Sequence, residues 1–155
     1  MRPRISLISN ITDVTETWEA YERSVRAFER GISAAYELGV DSEPVYKFMI
    51  DAELEVEEIE DVSEIWDAWI NSNVLEIVNI TRQSWNVDEP TLDAVELLLA
   101  FGGPNVRLTI PMGRHSDISD VWGTLSVHWG SDSYERDIRV TQIADVLEVH
   151  AECFL

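Results

Sequence analysis

Pro90-Thr91-Leu92-Asp93-Ala94-Val95-Glu96-Leu97-Leu98-Leu99-Ala100-Phe101-Gly102-Gly103-Pro104-Asn105-Val106-Arg107-Leu108-Thr109-Ile110 is the stretch on which the fold turns. Its first half reads as a helix. Pro90 suits a first turn, Asp88 can cap it, and Leu92, Val95, Leu98 and Leu99 recur at helical spacing. Gly102-Gly103-Pro104 stops it. In the second half Val106, Leu108 and Ile110 alternate with Arg107 and Thr109, which is the period of a half-buried strand. A helical part of the chain therefore gives way here to a β part.

Downstream, 113–120 reads as a polar turn, 122–129 as a second strand, 130–133 as a tight turn and 134–140 as a third strand. Thr141 caps a last helix with Ile143, Val146, Leu147 and Phe154 inward. Upstream, residues 2–11 read as a short strand or extended arm. Thr12 or Asp13 then caps a long helix whose apolar positions Val14, Trp18, Tyr21, Val25, Phe28, Ile32 and Ala35 alternate in steps of four and three, with Gly39 as its stop. That stripe is a core face. It is also the pattern of a coiled-coil seam, which leaves a homodimer open. A second helix follows Ser42 and Pro44 and carries Val45, Phe48, Met49, Ala52, Val56 and Ile59. A third starts at Ser63 and runs through Ile65, Trp66, Trp69, Ile70, Val74, Ile77 and Val78. The expected fold is α+β: N-terminal helices, a three-stranded antiparallel meander and a C-terminal helix. One domain is expected over 1–155, with 1–101 mostly helical and acidic and 102–155 β-meander plus helix.

Charge is the strongest functional signal. The chain has 30 acids against 11 bases on 155 residues, a formal charge of −19. From Phe48 to Thr81 there are ten acids and no base. Nine of them, Asp51, Glu53, Glu55, Glu57, Glu58, Glu60, Asp61, Glu64 and Asp67, fall within 17 residues. If helical, that run covers about 25 Å at roughly 1.5 Å per residue, or about one charge per 2.8 Å, near the spacing of about 3.4 Å per phosphate on a DNA strand. A basic nucleic-acid channel would meet a comparable field. These nine residues are the candidate contacts to a basic, nucleic-acid-binding protein. The same charge argues against direct binding of nucleic acid or anionic membranes.

The bases are ten Arg and one Lys, Lys47. An acidic, Lys-poor chain also fits a halophilic or actinobacterial interaction module whose acids are solvated surface. Against that, five of the ten Arg lie in the first 30 residues and the acids peak in one segment. Six Trp, four Tyr and four Phe supply a core and argue against disorder. The single Cys153 fits a reducing cytoplasm. Ile5 to Ile8 is too short for a signal-peptide core, and no apolar run approaches a membrane span.

Catalytic and metal signals are weak. Asp51-Ala52-Glu53-Leu54-Glu55 alternates acids but lacks the glycine of a calcium loop. His115, Asp117 and Asp120 share a turn, where Asp is common for turn chemistry alone. His150 and Cys153 stand three apart with no second pair to complete a zinc site. No nucleophile elbow or P-loop occurs. The expectation is a non-enzyme with no cofactor and no metal.

The run from Leu97 to Leu108, followed by a Trp-containing strand pair and a C-terminal helix ending Cys153-Phe154, resembles a set of small uncharacterised phage and plasmid proteins. The likeness covers the chain from about residue 90 to residue 155. It implies a mobile-element origin and no particular activity. By charge and size the chain also resembles the DNA-mimic antirestriction and anti-CRISPR inhibitors. That resemblance implies a cytoplasmic phage protein occupying the basic site of a CRISPR effector complex or restriction enzyme.

Overall fold

The computed structural model describes residues 13–55, 59–82, 91–112 and 120–149. The arm at 2–11, the Asp88 cap and Phe154 lie outside them. Helix α1 (Val14–Leu38) forms where the apolar stripe stands between two stops. Asp13 caps it, accepting from the N–H groups of Thr15 at 2.9 Å and Glu16 at 3.2 Å. Gly39 ends it at φ 102°, a conformation that favours glycine. Val25, Phe28, Ile32 and Ala35 are buried, and Val14, Trp18 and Tyr21 pack half-buried against the same core. The Trp18 indole N–H donates to the Leu125 carbonyl at 2.7 Å and pins the start of α1 to the sheet.

Helix α2 (Glu43–Asp51) has Pro44 in its first turn, as expected. It does not reach Ile59. A Schellman turn closes it: the Leu54 N–H donates to the Met49 carbonyl at 2.9 Å and the Glu53 N–H to the Ile50 carbonyl at 3.0 Å. Glu53 takes the left-handed position at φ 56°, where glycine is usual. The turn buries Leu54 in the core with Met49. Helix α3 (Val62–Asn73) is capped by Asp61, which accepts from the Ser63 N–H at 2.9 Å. It buries Ile65, Trp66 and Trp69. Phe28 joins the three helices: its ring stacks on Trp69 at 4.2 Å and lies 5.7 Å from Trp66 and 6.2 Å from Phe48.

The third helix stops at Asn73, and Val74 to Val78 does not continue it. Strand β1 (Glu76–Arg82) follows, and the expected fourth helix is strand β2 (Thr91–Ala100). With β3 (Asn105–Pro111), β4 (Trp122–Trp129) and β5 (Asp132–Arg139) they make one antiparallel sheet in the order β1-β2-β3-β4-β5. The meander therefore has five strands, not three, and the helical part of the chain ends near residue 73 rather than 101. The fold remains α+β. The physical reason is visible in the register. Val95 faces Ile110 and Leu97 faces Leu108, so Val95, Leu97 and Leu99 form a buried row of period two. Cross-strand burial outweighs the helix propensity of Leu92 to Ala100.

Leu97, Leu108 and Leu125 are fully buried on one face of the sheet, and α1 crosses that face at β4 and β5. The other face carries Val78, Ile80, Glu96, Arg107, Thr124 and Trp122, more open to water, with an ion pair between Arg107 and Glu96. Helix α4 (Thr141–Val149) returns to α1 and buries Ile143, Ala144, Val146 and Leu147. Thr141 is its first residue rather than its cap, and its hydroxyl accepts from the Val121 N–H at 2.9 Å.

Candidate functional site

Most of the acidic segment is a connection between two helices, not a helix. Asp51 is the last residue of α2, while Glu53, Glu55 and Glu60 lie on the link, and all four are exposed. Glu57 and Glu58 lie outside the described residues. Asp61 and Glu64 do structural work at the start of α3. Asp61 is its cap, and a Glu64 carboxylate oxygen accepts from the Glu60 N–H at 3.3 Å. Asp67 is exposed on α3. The uniform ladder of about one charge per 2.8 Å expected from a continuous helix is therefore broken at the described residues 52–55 and 59–61, which are not helical. What remains is a chain of exposed carboxylates held at both ends by helix termini.

The far end of that chain opens on a hollow of about 350 Å³ lined by Tyr36, Asp61, Val62, Ser63, Val146 and Val149. Three helices meet here: the end of α1, the start of α3 and α4. Tyr36 is 54% exposed and Val149 74%. Partial burial, and then the negative charge of Asp145, push the Tyr36 phenol above its ordinary value of 10.0. It stays a neutral donor at physiological pH. An aromatic and three valines beside Asp61, with the Asp145 charge acting on Tyr36, have the make-up of a protein-binding patch, apolar with a charged edge. Sequence periodicity gives no signal for this grouping, because its members come from three separate elements.

A second carboxylate escaped the sequence reading. Glu29 is buried, 9% exposed, and lies 113 residues before the helix it serves. It accepts from the Gln142 N–H at 3.0 and 2.9 Å and from the Ile143 N–H at 3.0 Å, and so satisfies the start of α4 from α1. Burial raises its pKa above the ordinary 4.5, and the two backbone donors and the Arg139 charge oppose that rise. The signal was its spacing. Position 29 is four after Val25 and three before Ile32, on the inward stripe of α1.

Asp120 pairs with Arg139 at 2.9 Å, while its proposed companions His115 and Asp117, like His150 and Cys153, lie outside the described residues. Among the described residues no three His, Cys, Asp or Glu gather as metal ligands do. No described helix is long and apolar enough to cross a membrane. Compared with known proteins, the chain matches no family model, no curated protein and no solved structure.

Proposed function

We propose that this protein is a non-enzymatic inhibitor from a phage or other mobile element. It binds the positively charged nucleic-acid site of a host defence nuclease, such as a CRISPR effector complex or a restriction enzyme. One observation carries the reading. Asp51, Glu53, Glu55 and Glu60 are exposed in succession, inside a 34-residue stretch with no base to neutralise them. Exposed like charges repel and destabilise the compact state, and the gain that offsets this is a field that steers a basic partner. The described part of the link carries its charge outside any helix, and the Tyr36 hollow beside Asp61 adds an apolar anchor.

The test is protection. The protein is co-expressed with a panel of CRISPR and restriction systems, and phage plating efficiency is measured. Plating should recover by orders of magnitude with one system. A variant with Asp51→Asn, Glu53→Gln, Glu55→Gln and Glu60→Gln should lose that recovery. A control of equal net charge, with Glu19→Gln, Glu76→Gln, Asp132→Asn and Glu135→Gln, should keep it. No recovery with any system sinks the proposal.

A second reading has its own support. Exposed acids also occupy faces far along the chain from the link, at Glu16 and Glu19 on α1 and at Asp132 and Glu135 on β5. Such spread suits an acidic interaction module of a halophilic or actinobacterial host. Equal loss in the link variant and the control would favour it. So would unfolding below about 0.5 M salt, where the screening length is still several ångströms.

A further inference from the structure

A groove of about 820 Å³ runs between α1 and α2, away from the Tyr36 hollow. Its floor is apolar and aromatic: Phe48 is 8% exposed and Trp69 1%. Small residues of α1, Ala27, Gly31 and Ala34, line it, and Phe48 packs directly against Gly31. Gly31 is the tightest, since a Cβ there would lie 2.7 Å from the Phe48 ring. Its rim is basic. Arg23 and Arg30 stand seven residues apart on one face of α1, about 10 Å along the axis at roughly 1.5 Å per residue. Lys47, the one lysine of the chain, faces them from α2.

The contrast with the rest of the surface is what points to a ligand. Acids outnumber bases nearly three to one, 30 against 11. Among the described residues Arg26 pairs with Glu22, Arg107 with Glu96, Arg139 with Asp120, and Arg136 lies over the Tyr134 ring. Arg23, Arg30 and Lys47 have no ion pair among the described residues. Among the described residues Asp51 is the one acid lining the groove. Three unpaired cations over a recessed aromatic floor are complementary to a molecule that is flat and apolar in its body and anionic at its edge. The volume falls in the range of small-molecule sites, roughly 300–1,000 Å³.

We propose that the α1–α2 groove binds a small aromatic anion, its ring seated against Ala27, Ala34 and the edge of Phe48 and its anionic group held by Arg23, Arg30 and Lys47. This site adjoins the acidic link, since Asp51 and Ala52 belong to its lining, but its cationic rim and the ligand proposed for it differ from the link acids and their partner. Ser24 and Asp51 also line the groove, and the activity proposed for it is binding. A ligand here touches α1 and α2 together and stabilises their packing by mass action.

The experiment titrates the full chain with 8-anilinonaphthalene-1-sulfonate, read by its fluorescence, beside N-phenyl-1-naphthylamine, which has the same rings and no charge. The net charge of −19 disfavours non-specific binding of the sulfonate. Saturable one-site binding is expected, at least tenfold tighter for the sulfonate than for the neutral amine. It should weaken at least tenfold in Lys47→Glu and further in Arg30→Glu, both exposed positions, with thermal melting unchanged. Ala27→Leu, which narrows the groove, should weaken both probes. Equal affinity for the two probes, or insensitivity to Lys47→Glu and Arg30→Glu, overturns the proposal. So does displacement of the bound sulfonate by an acidic peptide but by no aromatic carboxylate or phosphate, which would make the groove a protein-docking site.

Discussion

Phe28 and Glu29 sit side by side on α1 and both face inward; Asp51 at the end of α2 and Glu53, Glu55 and Glu60 on the α2–α3 link all face water. The two regions hold carboxylates under opposite rules. Glu29 has lost most of its water and is kept by two backbone donors of α4, so its position is set by the fold. The link acids keep their water and their mutual repulsion, and the fold asks little of them. Stability is therefore concentrated on the inward face of α1, while the link can carry charge for another purpose. Each substitution below probes one side of that division.

The largest effect belongs to Phe28→Ala. The ring touches α2 and α3 at once, through Phe48, Trp66 and Trp69, and no nearby side chain can fill the space it leaves. A loss of about 3–5 kcal/mol is expected in a denaturant titration. A loss under about 1 kcal/mol would show that the aromatic junction is not where stability resides.

Glu29→Ala should cost about 1–3 kcal/mol, since two N–H groups at the start of α4 lose their acceptor in a buried place. Glu29→Gln keeps an acceptor oxygen and separates charge from hydrogen bonding. The pH dependence follows from the sign of the shift. The folded pKa lies above 4.5, so between 4.5 and that raised value the folded protein holds a proton that the unfolded chain has released. This group's contribution to stability therefore falls as pH rises through that window and grows on acidification from neutrality. The gain in denaturation midpoint between pH 7 and pH 5 should be smaller in Glu29→Gln than in the parent. An equal gain in both would assign the pH dependence to the exposed acids alone.

How far these features could be read from the chain depends on local against distant causes. Helix α1 was legible because its stripe, the Asp13 cap and the Gly39 stop are all local. Strand β2 was not: Leu92, Val95 and Leu98 fit a helix as well as Val95, Leu97 and Leu99 fit a strand, and the choice is made by Leu108 and Ile110 across the ladder. Strand β1 continued the third helix's spacing through Ile77 and Val78. The β-branched density of Ile77, Val78, Ile80 and Thr81 was the signal that went unused. In the link, the acids were legible as charge but not as shape, because a Schellman turn with Glu rather than Gly at its left-handed position has no sequence mark. The Arg23–Arg30–Lys47 rim was hidden by the same net charge that made the acids conspicuous.

Glu53→Gly tests that turn. A side chain at φ 56° costs about 1–2 kcal/mol relative to glycine, part of which is returned as chain entropy in the unfolded state. A net gain of about 1 kcal/mol is expected, with Leu54 still buried. Destabilisation would mean that the Glu53 side chain makes a contact the fold depends on, and the link would then belong to the stability side of the comparison.

The smallest effect is expected from Asp51→Asn, Glu55→Gln and Glu60→Gln together. Each site is exposed, and surface changes of this kind move stability by about 0.5 kcal/mol or less. The sign should be a gain, because three like charges are removed from a stretch without bases. The gain should shrink as salt rises from about 0.05 to 1 M, where the screening length falls to about 3 Å. Thermal melts of parent and triple variant across that range make the measurement. A loss of stability that salt does not alter would show that these carboxylates hold the link by hydrogen bonds. They would then be structural groups like Glu29, and the contrast between the two regions would fail.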